Sequence, residues 1–209
     1  MKIPPYVGPY YEKYRIMLVG ESHYIKDCKV PELFNSWYVR NINFSEEVSN
    51  QFNTTYQVNY FLNKGKGLYA IYRFPANVLA RLFMIPYTEA FKYVMFYNYF
   101  QRPNLFKGSF KSIYDDDRDY TYAAESFLQC IVRYVPEICF FLSKKSYQSL
   151  QEYMPVQPKH FHCLVHPRSA WWFMNNGKHG DKKMEELMRS FLLEKYSNLD
   201  DIIVKDEGL

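Results

Sequence analysis

Arg15-Ile-Met-Leu-Val-Gly-Glu-Ser-His-Tyr24 is the stretch on which the fold turns. Four residues of strand type, apolar on both parities, run into a glycine and then into four hydrogen-bonding side chains. Continuous rather than alternating apolarity marks a strand covered on both faces, the habit of parallel sheets in α/β proteins. Three later runs have the same form: Tyr93–Tyr97 ending at Asn98, Ile138–Leu142 after Pro136, and Phe161–Val165 ending at His166-Pro167. Between the second and third, Ala124, Phe127, Leu128, Ile131 and Val135 recur at helical spacing until Pro136 stops them. Met184, Leu187, Met188, Phe191 and Leu192 mark a helix near the C-terminus, with Asp181 the expected N-cap. Val78–Phe83 reads as a further helical piece ended by Pro86. Alternating strands and helices predict a three-layer α/β/α domain around a central, mostly parallel four-stranded sheet. All 209 residues are expected to form that single domain.

Composition narrows the class. An apolar content of 48% excludes a disordered chain, and 20% aromatic residues promise a core rich in rings. No apolar run nears the roughly 20 residues that cross a bilayer. Nor does the N-terminal Pro-Pro and tyrosine-rich stretch read as a secretory leader. The expectation is a cytoplasmic monomer with no membrane partner. Cys28, Cys130, Cys139 and Cys163 are scattered and form no C-x-x-C pair, so reduced thiols are expected and neither zinc nor an iron–sulfur cluster is indicated. The net charge of +4 is compatible with a polyanionic partner without requiring one. Residues 35–67 differ from the rest, being rich in Asn with aromatics interleaved and a Lys64-Gly-Lys66-Gly67 element. They read either as a lid over a ligand or as a surface excursion with short helices.

In an open α/β sheet, ligands bind outside the carboxyl ends of the strands. That edge collects Gly20-Glu21-Ser22-His23-Tyr24, then Asn98, then Ser143-Lys144-Lys145, then His166-Pro167-Arg168-Ser169. The strand ending in Gly20-Glu-Ser-His-Tyr24, the strand-terminal Asn98 and the late His166-Pro167 resemble the uracil-DNA glycosylase superfamily. One branch of that family reads Gly-Gln-Asp-Pro-Tyr-His at the first motif, another Gly-Glu-Ala-Pro-Gly, and the second motif begins His-Pro-Ser. Ala123 to Leu142, with Pro136-Glu137 before the strand, follows the family's order of strand-terminal Asn, helix, Pro and strand. The likeness spans roughly Tyr14–Phe173 in element order and rests on two short motifs.

The resemblance implies DNA as partner and hydrolysis of the N-glycosidic bond of uracil or another damaged base flipped from the duplex, without a cofactor. His166 takes the part of the donor to the uracil O2, where negative charge develops. Asn98 reads the O4 and N3–H edge with one acceptor and one donor. Tyr24 falls where the family crowds the pyrimidine C5, and Phe34 and Trp37 are stacking candidates by position. Departures matter as much. Ser22 stands in place of the Asp that organises water, His23 in place of the motif Pro, and Arg168 in place of the Ser, with Ser169 one position later. Glu21 therefore becomes the preferred carboxylate, ahead of Asp27, and His23 a possible proton acceptor. Lys144, Arg168 and Ser169, with Lys145, Lys159, Lys178 and Lys182-Lys183 near the same edge, are candidate phosphate contacts. His160, His162 and His166 suggest a metal only weakly, since no nearby acid or thiol completes a ligand set. The alternative reading is a binding protein of the same fold that holds nucleic acid or a nucleobase without chemistry. A hydrolase acting on free nucleosides is a third possibility on such a sheet.

Overall fold

The computed structural model describes residues 3–25, 37–38, 44–64, 70–105, 117–174 and 183–196. The central strands are β2 (Ile16–Gly20), β4 (Val94–Asn98), β6 (Ile138–Phe141) and β7 (Phe161–Cys163). They pair in parallel in the order β4-β2-β6-β7, with Gly20 opposite Asn98, Ile16 opposite Ile138, and Phe141 opposite Cys163. The sheet is one strand wider than the sequence predicts. Tyr6–Val7, β1, joins the free side of β4 in antiparallel fashion. Two residues carry no periodicity to read, and Gly8 follows at once because a Cβ there would stand 2.4 Å from the carbonyls of Phe91 and Lys92.

Helices cover both faces, as the unbroken apolarity of the strands requires. Every residue of β2 is buried, and successive side chains enter opposite cores. Ile16 and Leu18 join Phe96, Phe140 and Leu142 beneath α3 (Thr54–Lys64), α4 (Ala70–Phe83) and α7 (Met184–Lys195). Met17 and Val19 join Tyr97, Phe141 and Phe161 beneath α5 (Asp117–Tyr134) and α6 (Lys144–Tyr153). The short α1 (Tyr11–Tyr14) adds Tyr11 to that second core. Phe127 of α5, fully buried, packs on Tyr97, Tyr99, Phe141 and Phe161. The high aromatic content thus fills two cores that share one sheet.

Several boundaries shift for identifiable reasons. The helix expected over Val78–Phe83 runs back to Ala70 through Pro75, a residue that reads as a breaker in sequence but is accommodated here. It ends where Met84 takes a left-handed conformation, and a 3-10 turn over Tyr87–Tyr93 follows Pro86. β7 stops at Cys163 rather than Val165, although Leu164 N–H still reaches the Phe141 carbonyl at 2.8 Å. Asp181 lies outside the described residues, and the cap position of α7 is Lys183, whose N–H reaches the Glu186 carboxylate. Of the excursion over 35–67, the described part contains α2 (Glu46–Phe52) and α3, which favours short helices there. Ser45 caps the first through Val48 N–H.

Candidate functional site

Beyond the sheet, the β2 and β4 chains continue side by side. Tyr99 N–H donates to the Gly20 carbonyl at 3.1 Å, Phe100 N–H to the Glu21 carbonyl at 2.8 Å, and Asn104 N–H to the His23 carbonyl at 2.8 Å. That ladder ends in a second, two-stranded parallel sheet of β3 (Tyr24–Ile25) and β5 (Asn104–Leu105). The Gly-Glu-Ser-His-Tyr segment is therefore held rigidly against the chain that follows Asn98. Gln101 tightens the same loop, donating to the Asn98 carbonyl and accepting from Ile3 N–H at 2.8 Å.

Gly20 permits the closest approach in the site. A Cβ on it would lie 2.3 Å from Asn98 Oδ1, so any side chain there would displace the amide. Asn98 is itself buried, and its Nδ2 donates to His23 Nε2 at 3.0 Å. Thr54, the first residue of α3, puts its hydroxyl 3.0 Å from the same His23 nitrogen. Burial lowers the pKa of His23 to about 3. The ring is thus neutral across the physiological range, with its Nε2 against both the Asn98 amide and the Thr54 hydroxyl. Such a group does not accept a proton during turnover, and the role expected of His23 changes accordingly. Thr54 was missed because a threonine inside an Asn-rich segment carries no motif.

Glu21 is half-buried and accepts a hydrogen bond from Ser143 Oγ at 2.8 Å. Ser143 also caps α6 by accepting from Ser146 N–H, so β6 and α6 together fix the carboxylate. Its charge reaches two further site residues, adding to a rise in the pKa of Tyr24 and opposing a net fall in that of His166. For Tyr24 burial is the larger cause, with the Ser22 hydroxyl opposing it. For His166 the crowding around the ring dominates and lowers the pKa, Glu21 works against it, and Arg168 adds to it. His166 is nevertheless open to solvent, and its Nδ1 accepts from Arg168 N–H at 3.1 Å. The residue after Pro167 therefore determines which ring nitrogen carries the proton. In the neutral ring Nδ1 is the acceptor and Nε2–H the donor.

The remaining candidates fall in several places. Ser22 is buried beside Tyr24, and Tyr24 is partly exposed. Trp37 is buried in an aromatic cluster with Phe44 and Phe52, its ring edge-on to Phe52 at 5.6 Å. Phe34, Asp27, Lys178 and Lys182 lie outside the described residues. Lys144 and Arg168 are exposed and Ser169 is half-buried. The Lys145 ammonium sits over the rings of Phe100 at 5.6 Å and Tyr120 at 6.0 Å. His162 stacks on Phe191 of α7 at 3.8 Å, which gives it to the core contact between β7 and α7. Among the described residues no three His, Cys, Asp or Glu side chains gather as a metal site would require. Nor is any described helix long and apolar enough to cross a membrane. Burial raises the thiol pKa of Cys130 to about 12 and of Cys163 to about 11.

Sequence reasoning also missed a buried ion pair behind the loop. Arg102 Nε donates to Asp119 Oδ1 at 2.7 Å and Nη2 to Oδ2, in the forked geometry that guanidinium and carboxylate favour. Tyr38 donates its hydroxyl to the same carboxylate. An Arg four residues past a strand-terminal Asn and an Asp in a helix's first turn give no sequence signal of their pairing. No known family profile matches this chain, and no curated protein matches it in sequence.

Proposed function

We propose that this chain is a DNA N-glycosylase of the uracil-DNA glycosylase type, which draws a uracil or otherwise damaged base from DNA and hydrolyses its glycosidic bond. The observation that carries the reading is the hydrogen bond from Arg168 N–H to His166 Nδ1. It leaves a neutral imidazole that carries its proton on Nε2. That is a donor suited to a base whose O2 becomes anionic as the C1′–N bond breaks. The bonding pair departs with the base, water attacks the cationic sugar carbon, and the proton lost by that water goes to an acceptor at the edge. Glu21 is that acceptor here, since Ser22 cannot take a carboxylate's part. Its charge also steadies the sugar cation.

Strand order sets how far apart the two candidate base-reading residues start. Strand axes lie about 4.8 Å apart, so β4 and β7 are separated by roughly 14 Å. The three residues past Cys163 bring His166 back to the influence of Glu21, beyond the central strand β2. The reading requires a planar ring to lie at this edge between Asn98 and His166. The finer likeness of fold rests on the same succession of strand-terminal Gly-Glu, strand-terminal Asn, helix-Pro-strand and His-Pro along one edge.

A second reading, binding without chemistry, draws on Ser22, which puts a buried hydroxyl where the family's branch has its water-organising Asp. Incubation with uracil-containing single- and double-stranded oligonucleotides, followed by alkali, separates the two. The proposal expects strand breaks at uracil, reduced about 10²–10³-fold in His166→Ala, the usual loss of one such donor. Salt-sensitive binding with no breaks on any modified base would replace it by the second reading.

A further inference from the structure

We infer that the chain forms a two-fold symmetric dimer through α5, the outer strip of that helix lying antiparallel against the same strip of a second copy. The sequence suggests a monomer, and the outer face of α5 argues for a pair. The dimer goes beyond the glycosylase reading and does not depend on it.

The apolar residues of α5 fall into two sets. Ala123, Phe127 and Cys130 turn toward the sheet and are enclosed in the second core. Leu128 and Val132, four residues apart and so one above the other on the helix surface, join neither core among the described residues. Val132 is 79% exposed, and Val135, just past the helix, is 56% exposed. Single apolar residues at a surface are ordinary, but a row of them beside a groove marks a place where another surface sits. A shallow groove of about 510 Å³ runs along this row, bounded by Glu125, Leu128, Gln129, Val132 and Arg133. Its walls are almost entirely carbon, so the long polar residues line it with their stems. Glu125, Leu128, Gln129 and Val132 stand at i, i+3, i+4 and i+7. Those are the four corners of a hole that takes one side chain from a facing helix.

The order of charges along the strip identifies the occupant. Glu125 stands at one end, Gln129 at the centre and Arg133 at the other end, and all three are exposed. Arg133 is steadied by the neighbouring Tyr134 ring, 5.3 Å from its guanidinium. Turned end for end about Gln129, a second copy sets its Arg133 opposite Glu125 and its Glu125 opposite Arg133, with its Val132 alongside Leu128. Laid parallel, the same strips would face Glu125 with Glu125 and Arg133 with Arg133, and such like-charge pairs are strongly disfavoured. The surface is thus complementary to itself in the antiparallel sense, as an isologous contact requires. α5 leads into the start of β6, and Ile138 there lies beside Ile16, at the opposite end of the sheet from Gly20 and Asn98. Val132 and Val135 belong to that far end, so the dimer leaves the candidate site of each copy open. One pair of helices makes an interface at the small end of the specific range, and the dimer is therefore expected to depend on concentration.

Sedimentation equilibrium of the full wild-type chain tests this, with the mass expected to rise from 25.2 kDa toward twice that value as concentration increases. Val132→Glu, at a position that touches neither core, should raise the dimer dissociation constant about tenfold or more. Glu125→Arg and Arg133→Glu should each weaken the dimer by facing like charges across it, and the two combined should bring it back near wild type. Orientation is read by mild air oxidation of single-cysteine additions. Gln129→Cys chains meet across the two-fold axis and should couple faster than wild type. Glu125→Cys chains, about 12 Å apart along the helix axis in this arrangement, should gain nothing over it. A wild-type chain that stays at 25.2 kDa at every concentration would overturn the inference. So would a dimer indifferent to Val132→Glu and to the charge reversals, or one in which Glu125→Cys couples as readily as Gln129→Cys.

Discussion

At the scale of single residues, the site is governed by which nitrogen of each histidine holds a proton. His166 and His23 are both held neutral, but in opposite surroundings. His166 lies at the surface with a backbone N–H on Nδ1, and His23 is enclosed with a carboxamide on Nε2. The second arrangement has a measurable pH signature. Above about pH 6.5 the His23 ring is neutral whether the chain is folded or not, and contributes nothing to the pH dependence. As pH falls from there toward about 3, the unfolded chain binds a proton that the folded chain refuses, so stability drains across that window. The full difference is of the order of a few kcal/mol. Urea denaturation of wild type and His23→Gln between pH 7 and pH 4 should therefore show the wild-type advantage shrinking as the solution is acidified. Parallel curves would contradict the burial of a neutral ring. The identities of these residues were readable from their strand-end positions. Their proton arrangement was not, because it depends on Thr54 and on a backbone N–H that the sequence does not single out.

At the scale of elements, the loop after β4 is the piece that makes the edge rigid. Its backbone is laced to Gly20, Glu21 and His23, and Arg102 anchors its far end to the first turn of α5. Both members of the Arg102–Asp119 pair are almost fully enclosed. Removing one partner of a buried pair leaves the other charge uncompensated, which typically costs about 3–5 kcal/mol. Asp119→Ala should lower the free energy of unfolding by that amount, and a loss below about 1 kcal/mol would show that Arg102 is not relying on it. The strands themselves were legible because unbroken apolar runs mean burial on both faces. The helix α6 was not, since Lys144–Tyr153 is mostly polar and declares itself only through its Ser143 cap and the buried Ser146, Ser149 and Leu150. The two-residue strands β1, β3 and β5 are set by long-range pairing and leave no pattern in the chain.

At the scale of the whole molecule, one sheet divides two aromatic cores and turns its carboxyl edge into the place where distant segments meet. The parallel order β4-β2-β6-β7 brings Asn98 beside Gly20 and leads the His166 turn back toward Glu21. Element order and strand ends in the sequence anticipate that convergence, although the antiparallel fifth strand and the small second sheet lie beyond their reach. The direct measurement is a crystal structure of the wild-type chain soaked with free uracil. The account predicts one pyrimidine ring at this edge, its O4 and N3 within hydrogen-bond distance of the Asn98 amide and its O2 within reach of His166 Nε2. A ring bound elsewhere, or Asn98 and His166 contacting no common ring, would contradict it.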